Sequence, residues 1–271
     1  MSEPQGVEQP SASVPALIAV GAEMDVPGMF NLRDLGGLPV RGGGTVRRGL
    51  LLRCGELSGL ETAGFAALAE LGLRTVVDLR TVTEVDVRPN PTGLGDIGVV
   101  VHTIPLISLT YEEIPHRQVD LYTYLADSCT LEAASVVKAL AAPGALPGLF
   151  HCAVGKDRTG FIAALVLSVI GVPDDEIIAD FLRSNAALGL PRQPGALSAA
   201  ARRVAEASPV YDMLLSARNA ISAELISASL GRVRERHGSV ADYLRFGGVT
   251  DEESASLEAA LVEPGPDDRQ D

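Results

Sequence analysis

At 271 residues, 46% of them hydrophobic and 21% charged, the chain is long enough for one sizeable domain or a domain with a cap. Its 22 basic residues against 35 acidic ones leave a net charge of −13, which argues against nucleic acid or an anionic membrane as partner, since both bind through Lys and Arg. Three cysteines (Cys54, Cys129, Cys152) without C-x-x-C spacing and four scattered histidines exclude a disulfide framework and a structural zinc site, so no metal or other cofactor is expected.

Residues 1–24 are polar and acidic where a secretory signal would be basic, and the apolar run 14–22 contains Pro15 and is too short to span a bilayer. A disordered tail is expected there, with the cytoplasm as default location, although export without a signal would leave no mark. A domain over 25–265 follows. Residues 40–46 carry the glycine-rich centre of a hairpin, and 50–54 form a short apolar strand. Phe65, Leu68 and Leu71 recur at helical spacing, predicting a helix over 61–71 that stops at Gly72. Residues 74–79 read as a buried strand, and 99–104 as another. A helix over 131–141 leads through Pro143, Gly144 and Pro147 into the short strand 149–151. Residues 159–170 are almost wholly apolar, which predicts a helix buried on most sides. Pro173 opens the next helix, with three acids in its first turn.

Strands alternating with helices predict an α/β core. Beyond about residue 188 only helical patterns remain: 196–207, 217–236, and a last helix whose capping box is Thr250 with Glu253. The Pro- and Gly-rich link at 190–195 sets this part off, and the range 191–230 is expected to form a helical lid, mobile enough to gate access to the site.

The chemistry is concentrated in His151-Cys152-Ala153-Val154-Gly155-Lys156-Asp157-Arg158-Thr159-Gly160, between a strand and a helix. A free thiol has a pKa of about 8.5 and attacks only as thiolate; a helix N-terminus ringed by backbone N–H groups stabilises that anion. The same N–H groups, over 153–158, can cradle a phosphate dianion. An arginine with a planar fork then grips the phosphate oxygens bidentately, which Lys cannot do. Five residues separate Cys152 from Arg158, enough for the loop to wrap one phosphate. Gly155 allows the turn, Lys156 adds positive potential or faces solvent, and Thr159 can donate its hydroxyl to the sulfur. A nucleotide-binding loop would need Gly-x-x-x-x-Gly-Lys-Ser/Thr, and this segment fails that template.

HCAVGKDRTG at 151–160 resembles the signature loop of the protein tyrosine phosphatase superfamily, nearest to an atypical bacterial branch with mycobacterial members. NLRDLGG at 31–37, LLRCGELSGL at 51–60, VVDLRTVTEV at 76–85 and IIADFLRSN at 177–185 are similar to the same branch. The resemblance covers about 28–260. It implies a phosphatase-type α/β fold with a mostly parallel central sheet flanked by helices, a C-terminal helical lid and no metal cofactor. The implied substrates are phosphotyrosine, with phosphoserine or phosphothreonine and phosphoinositides also open. The separate Trp-Pro-Asp loop of other members is missing, since the chain has no Trp. The leaving group still needs an acid. Asp157 is the first candidate, its alternative a loop-bracing role, and Asp78 at a strand end is the second. His151 is expected to orient the loop, and Arg80 with Glu84 to form a structural pair or brace it. Cys54 is expected to be packing, with a redox partnership to Cys152 as the minor reading. Tyr122, Tyr124 and Phe181 either line the pocket or belong to the core. Two other functions remain to be weighed: a catalytically silent phosphate-recognition module, and a sulfurtransferase or arsenate-reducing enzyme. Oligomeric state is not legible.

Overall fold

The computed structural model describes residues 24–109, 113–115, 117–190 and 219–265. In chain order the elements are β1 (Arg33–Asp34), β2 (Thr45–Val46), β3 (Leu51–Cys54), α1 (Thr62–Glu70), β4 (Thr75–Asp78), α2 (Val82–Val87), α3 (Gly93–Asp96) and β5 (Val100–Thr103). They continue with α4 (Gln118–Ser128), α5 (Thr130–Ala141), β6 (Gly148–His151), α6 (Asp157–Val169), α7 (Asp174–Ala187), α8 (Ala223–His237), α9 (Val240–Phe246), α10 (Asp251–Leu261) and β7 (Val262–Glu263).

Five strands form the central sheet in the order β1-β3-β6-β4-β5. All neighbours are parallel except β1 and β3. The registers Arg53↔Phe150, Cys54↔His151 and Asp78↔His151 bring the C-terminal ends of β3, β6 and β4 level. That edge is where open parallel sheets place their ligands. The three inner strands are buried at every position, which is why their sequences are short apolar runs rather than alternating ones. Alternate side chains serve two cores. Leu52, Val76 and Leu149 pack with Leu68 of α1 and with Leu94 and Val99. Leu51, Val77 and Phe150 pack with the larger helical layer, α4 to α10.

Helix α6 runs through the middle of that layer, buried at every residue from Asp157 to Leu167, as its apolar sequence predicts. The capping box of Thr250 with Glu253 opens α10, and three acids occupy the first turn of α7. The strand expected to be buried over 99–104 is instead the open edge: β5 pairs only with β4 among the described residues, and Val100 is 57% exposed. An edge strand of β-branched residues has the same short apolar signature as a buried one. The hairpin expected at 40–46 closes as a single bridge, Pro39 to Thr45, because the main partner of β2 is β7 at the far end of the chain.

Residues 191–218, including the helix expected over 196–207, lie outside the described residues, as does the tail 1–23. Of the range expected for the lid, Ala223–Leu230 lies in α8, whose Leu225, Ile226, Leu230 and Val233 are buried in the main core beside α4.

Gly160 is where α6 meets α7. A Cβ there would stand 2.7 Å from the Phe181 ring. Helix propensity alone favours Ala over Gly by about 1 kcal/mol, but overpacking a closed interface costs about 1–3 kcal/mol. Gly160→Ala is therefore expected to lower the urea midpoint with an unchanged m-value; a raised midpoint would show that the α6–α7 contact yields freely.

Candidate active site

Strand β6 ends at His151, and α6 begins at Asp157. Cys152 and the turn 153–156 join them, all buried. The carbonyls of this turn are held from outside. Ala153 O accepts from the Glu56 amide at 3.0 Å. Asn31 Nδ2 donates to Val154 O and to Gly155 O, each at 2.9 Å. Arg53 Nη2 donates to Gly155 O at 2.9 Å, and Lys156 O accepts from the Gly160 amide at 2.7 Å. In a trans peptide the next N–H points opposite to the C=O. Carbonyls turned outward at 153–156 therefore leave the amides of residues 154–157 on the opposite, inner side of the turn. Gly155 adopts φ +70°, and a Cβ there would lie 2.3 Å from Cys54 O; only glycine fits.

The bracing side chains form a buried cluster. Arg33 Nε and Arg53 Nη1 each donate to Asp180 at 2.7 Å, one to each carboxylate oxygen. Arg33 Nη1 also donates to Asn31 Oδ1 at 2.7 Å and so aims the Asn31 amide at the loop. Asn31 stands at φ 51°, a conformation Asn tolerates better than other side chains. Burial opposes the charge of Asp180, but the two arginines outweigh it and hold the carboxyl below its usual range.

Arg158 is held in a bidentate pair by Glu84, at 2.6 and 2.7 Å, both side chains 4% exposed. Glu84 is itself fixed, because Glu84 Oε2 accepts from the Thr81 amide at 2.8 Å in the capping box that opens α2. Burial works against its charge; Arg158 and Thr81 prevail and lower its pKa. This corrects the pairing expected for Arg80 with Glu84. Arg80 Nη2 donates to Asp78 Oδ2 at 2.7 Å and Arg80 Nη1 to Glu56 Oε2 at 3.3 Å. An alternating Asp-Leu-Arg-Thr-x-x-Glu run does not reveal which acid turns toward the loop; the Thr81-to-Glu84 spacing of a capping box was the available signal.

The Asp157 carboxylate is at the loop's end, 5% exposed. Its Oδ1 accepts from the Tyr122 hydroxyl at 3.0 Å, and its Oδ2 lies 3.7 Å from Lys156 Nζ. Lys156 is fully buried and donates to Asn219 O at 2.5 Å, so it does not face solvent. Tyr122 and Phe181 meet edge to face at 5.8 Å behind Asp157 and belong to the core; Tyr124 is packed against it. Asp78 is buried and gripped by Arg80 through both oxygens and by Asn90 at 2.7 Å. Burial opposes its charge, yet His151 and Arg80 outweigh it and hold the carboxyl at about 2, so Asp78 has no proton to give near neutral pH. His151 Nδ1 lies 3.2 Å from Cys152 O and its Nε2 3.8 Å from Asp78 Oδ1. Thr159 Oγ1 is buried without a partner among the described residues. Cys54 is buried on the opposite core from Cys152; burial first, then Cys152, pushes its thiol up. Cys129 donates to Leu106 O at 2.9 Å. Among the described residues no group of three or more His, Cys, Asp or Glu could hold a metal ion, and no helix is long and apolar enough to cross a membrane.

A strand, a Cys-x5-Arg-Thr turn with its amides inward and a buried helix coincide with a family match that spans nearly all the described chain: residues 24–263 match the tyrosine phosphatase family. The chain belongs to that family. It is a cysteine-based phosphatase, with relatives in bacteria. It is similar to the triple specificity protein phosphatase PtpB of Mycobacterium tuberculosis, 32% identical over 84% of this chain and 95% of that protein. A tyrosine-protein phosphatase of Nostoc commune is 27% identical over 79% of this chain and 74% of that protein. Among solved structures, the core catalytic domain of the PP-IP phosphatase SIW14 from S. cerevisiae aligns with a TM-score of 0.35 and 16% identity, over 61% of this chain and 86% of that one.

The depressed Asp78 carboxyl has a signed consequence. A folded-state pKa of about 2, against about 3.9 unfolded, contributes on the order of 2 kcal/mol above pH ~4, and that contribution is lost as the pH falls toward 2. Asp78→Asn is expected to lower stability at pH 7 and to flatten the fall in thermal midpoint between pH 4 and 2. An undiminished acid slope in the variant would remove Asp78 from this role.

Proposed function

We propose that this phosphatase hydrolyses phosphotyrosine monoesters, and with them phosphoserine, phosphothreonine or phosphoinositide esters, through a phosphocysteine intermediate at Cys152. The observation that supports the reading is the outward bonding of the turn's carbonyls, which leaves the following amides on its inner side, together with the bidentate hold of Glu84 on Arg158. The breadth of substrate rests on the mycobacterial relative, whose name records triple specificity, and on the buried Lys156 beside the loop.

In the first step the Cys152 thiolate attacks phosphorus, the S–P bond forms, and the P–O bond to the leaving group breaks. Asp157 supplies the proton that turns the leaving oxygen into an alcohol or phenol. Arg158 and the inward amides hold the charge that gathers on the equatorial oxygens. In the second step water attacks phosphorus, Asp157 takes the proton back, and the S–P bond breaks to return the thiolate and inorganic phosphate. Thr159 Oγ1 is buried one residue beyond Arg158, and in this reading its O–H donates to the departing sulfur. His151, Asp78 and Arg80 brace the loop from below.

Hydrolysis of a phosphotyrosine peptide, a phosphoserine peptide and phosphoinositides should fall at least ~10³-fold in Cys152→Ser, with phosphate binding kept. Turnover close to wild type would end the phosphocysteine mechanism, and phosphate binding without turnover by the wild type would favour the silent recognition module. Asp157→Asn separates the acid from a bracing role. As a general acid, Asp157 is worth ~10²–10⁴-fold for a poor alkyl leaving group and far less for p-nitrophenolate, which needs no proton. Equal losses on both substrates would assign Asp157 to bracing.

A further inference from the structure

The cluster behind the loop is out of balance: two guanidinium groups face one carboxylate. Arg33, Arg53 and Asp180 are 1%, 0% and 4% exposed. Arginine keeps its proton in proteins, and Arg53, brought down to about 10 by burial and by Arg33, is still charged at neutral pH. The cluster thus carries one positive charge that no water screens. Arg53 bonds Asp180 through Nη1 and the loop carbonyls through Nη2, while its buried Nε has no partner among the described residues. The register pairs Arg53 with Phe150, and Cys152, two residues beyond Phe150, shares the core cluster of Phe150 rather than that of Cys54. The Arg53 side chain therefore lies on the Cys152 side of the sheet, under the turn whose carbonyls it binds.

We propose that Arg53, Arg33 and Asp180 are positioning residues for catalysis: they fix the loop and place one permanent, unbalanced cation behind the Cys152 thiolate and the phosphate that follows it. This rests on the reading of Cys152 as nucleophile. It accounts for an arrangement that stability does not call for, since buried ion clusters are as a rule no more stable than apolar replacements.

Other groups act on the same sulfur and set its background. Arg158, Lys156 and Asp157 lie in the loop itself, and His151 is its neighbour on β6. Asp78 and Arg80 come from the end of β4, Cys54 and Glu56 from the end of β3, Glu84 from α2 and Tyr122 from α4. None of these side chains is altered in the variants below, and any loosening of the loop that moves them acts alike in Arg53→Gln and Asp180→Asn, so the sign of the change separates charge from position.

The test uses opposite charge changes at one site. The pH dependence of iodoacetamide alkylation at Cys152, with protection by inorganic phosphate to identify the residue, reports the thiolate fraction in the full-length protein. Arg53→Gln removes the excess charge and should raise the thiol pKa by ~1 unit, a ~tenfold slower alkylation below that pKa. Arg53→Lys keeps the charge and should stay near wild type. Asp180→Asn adds a positive charge and should move the thiol in the other direction, toward greater acidity, even if the protein is less stable. A structural role alone would loosen the loop in both Arg53→Gln and Asp180→Asn and shift both the same way; that result, or no shift in either, overturns the inference. Should Arg53→Gln fail to fold, the sign for Asp180→Asn still decides. Wild-type turnover that vanishes in Cys152→Ser keeps the mechanism standing whichever way these variants go, so the two ideas fail separately.

Discussion

A peptide carbonyl and the amide that follows it point in opposite directions, and the turn between β6 and α6 is built on that constraint. Its carbonyls at 153–155 are each bonded by groups outside the turn: the Glu56 amide, the Asn31 side chain and the Arg53 guanidinium. Once those bonds are made, the amides have nowhere to point but inward. The proposed anion site is thus made by restraining its outer face, and the residues that do so come from the segment just before β1, from β3 and from the segment following β3. The sheet order supplies them, since β3 lies directly beside β6 and β1 beside β3. Helix α7 completes the frame by bringing Asp180 and Ser184 under Arg33.

This frame is expensive in electrostatic terms. Three charged side chains are almost fully withdrawn from water in the Arg33–Asp180–Arg53 cluster, two in the Arg158–Glu84 pair, and more in the Arg80–Asp78–Glu56 group. Each charge is offset only because the partner geometry is short and multiply bonded. The broad apolar layer that α6 anchors meets this cost, with Leu, Val, Ile and Ala in place of aromatic bulk.

The loop and the strand–loop–helix context were legible from the residues because the chemistry is local: seven consecutive positions, 152–158, a strand of apolar residues before them and an apolar helix after. The partners of the loop were not legible. Asn31, Arg53 and Asp180 each lie more than 100 positions from partners they bond, and nothing in a single chain distinguishes an arginine that supports a turn from one that faces water. Glu84 was noticed but given the wrong partner, because two acids and one arginine close together on β4 and α2 admit several pairings until Arg158 is placed in space. The β5 assignment failed on burial for a related reason. Val99 to Ile104 shows that a strand exists but carries no mark of whether a sixth strand lies beyond it. Helix α4 escaped notice because its mixed Gln-Val-Asp-Leu-Tyr-Thr-Tyr composition gives a weak helical stripe, although it carries the hydroxyl that reaches Asp157.

The strand order also governs when this protein can come into being. Strands β3 and β4 precede β6 in the chain but never touch each other; both wait for β6, which inserts between them. In the folded protein the strands that precede residue 148 pair only as two separate ladders, β1 with β3 and β4 with β5. The strand that joins them, β6, leads directly into Cys152, the proposed nucleophile. A chain that lacks β6 lacks both the strand that makes the sheet continuous and the turn proposed to hold phosphate. The β2–β7 ladder joins two segments more than 200 residues apart, so it can form only after β6 and α6 have been made.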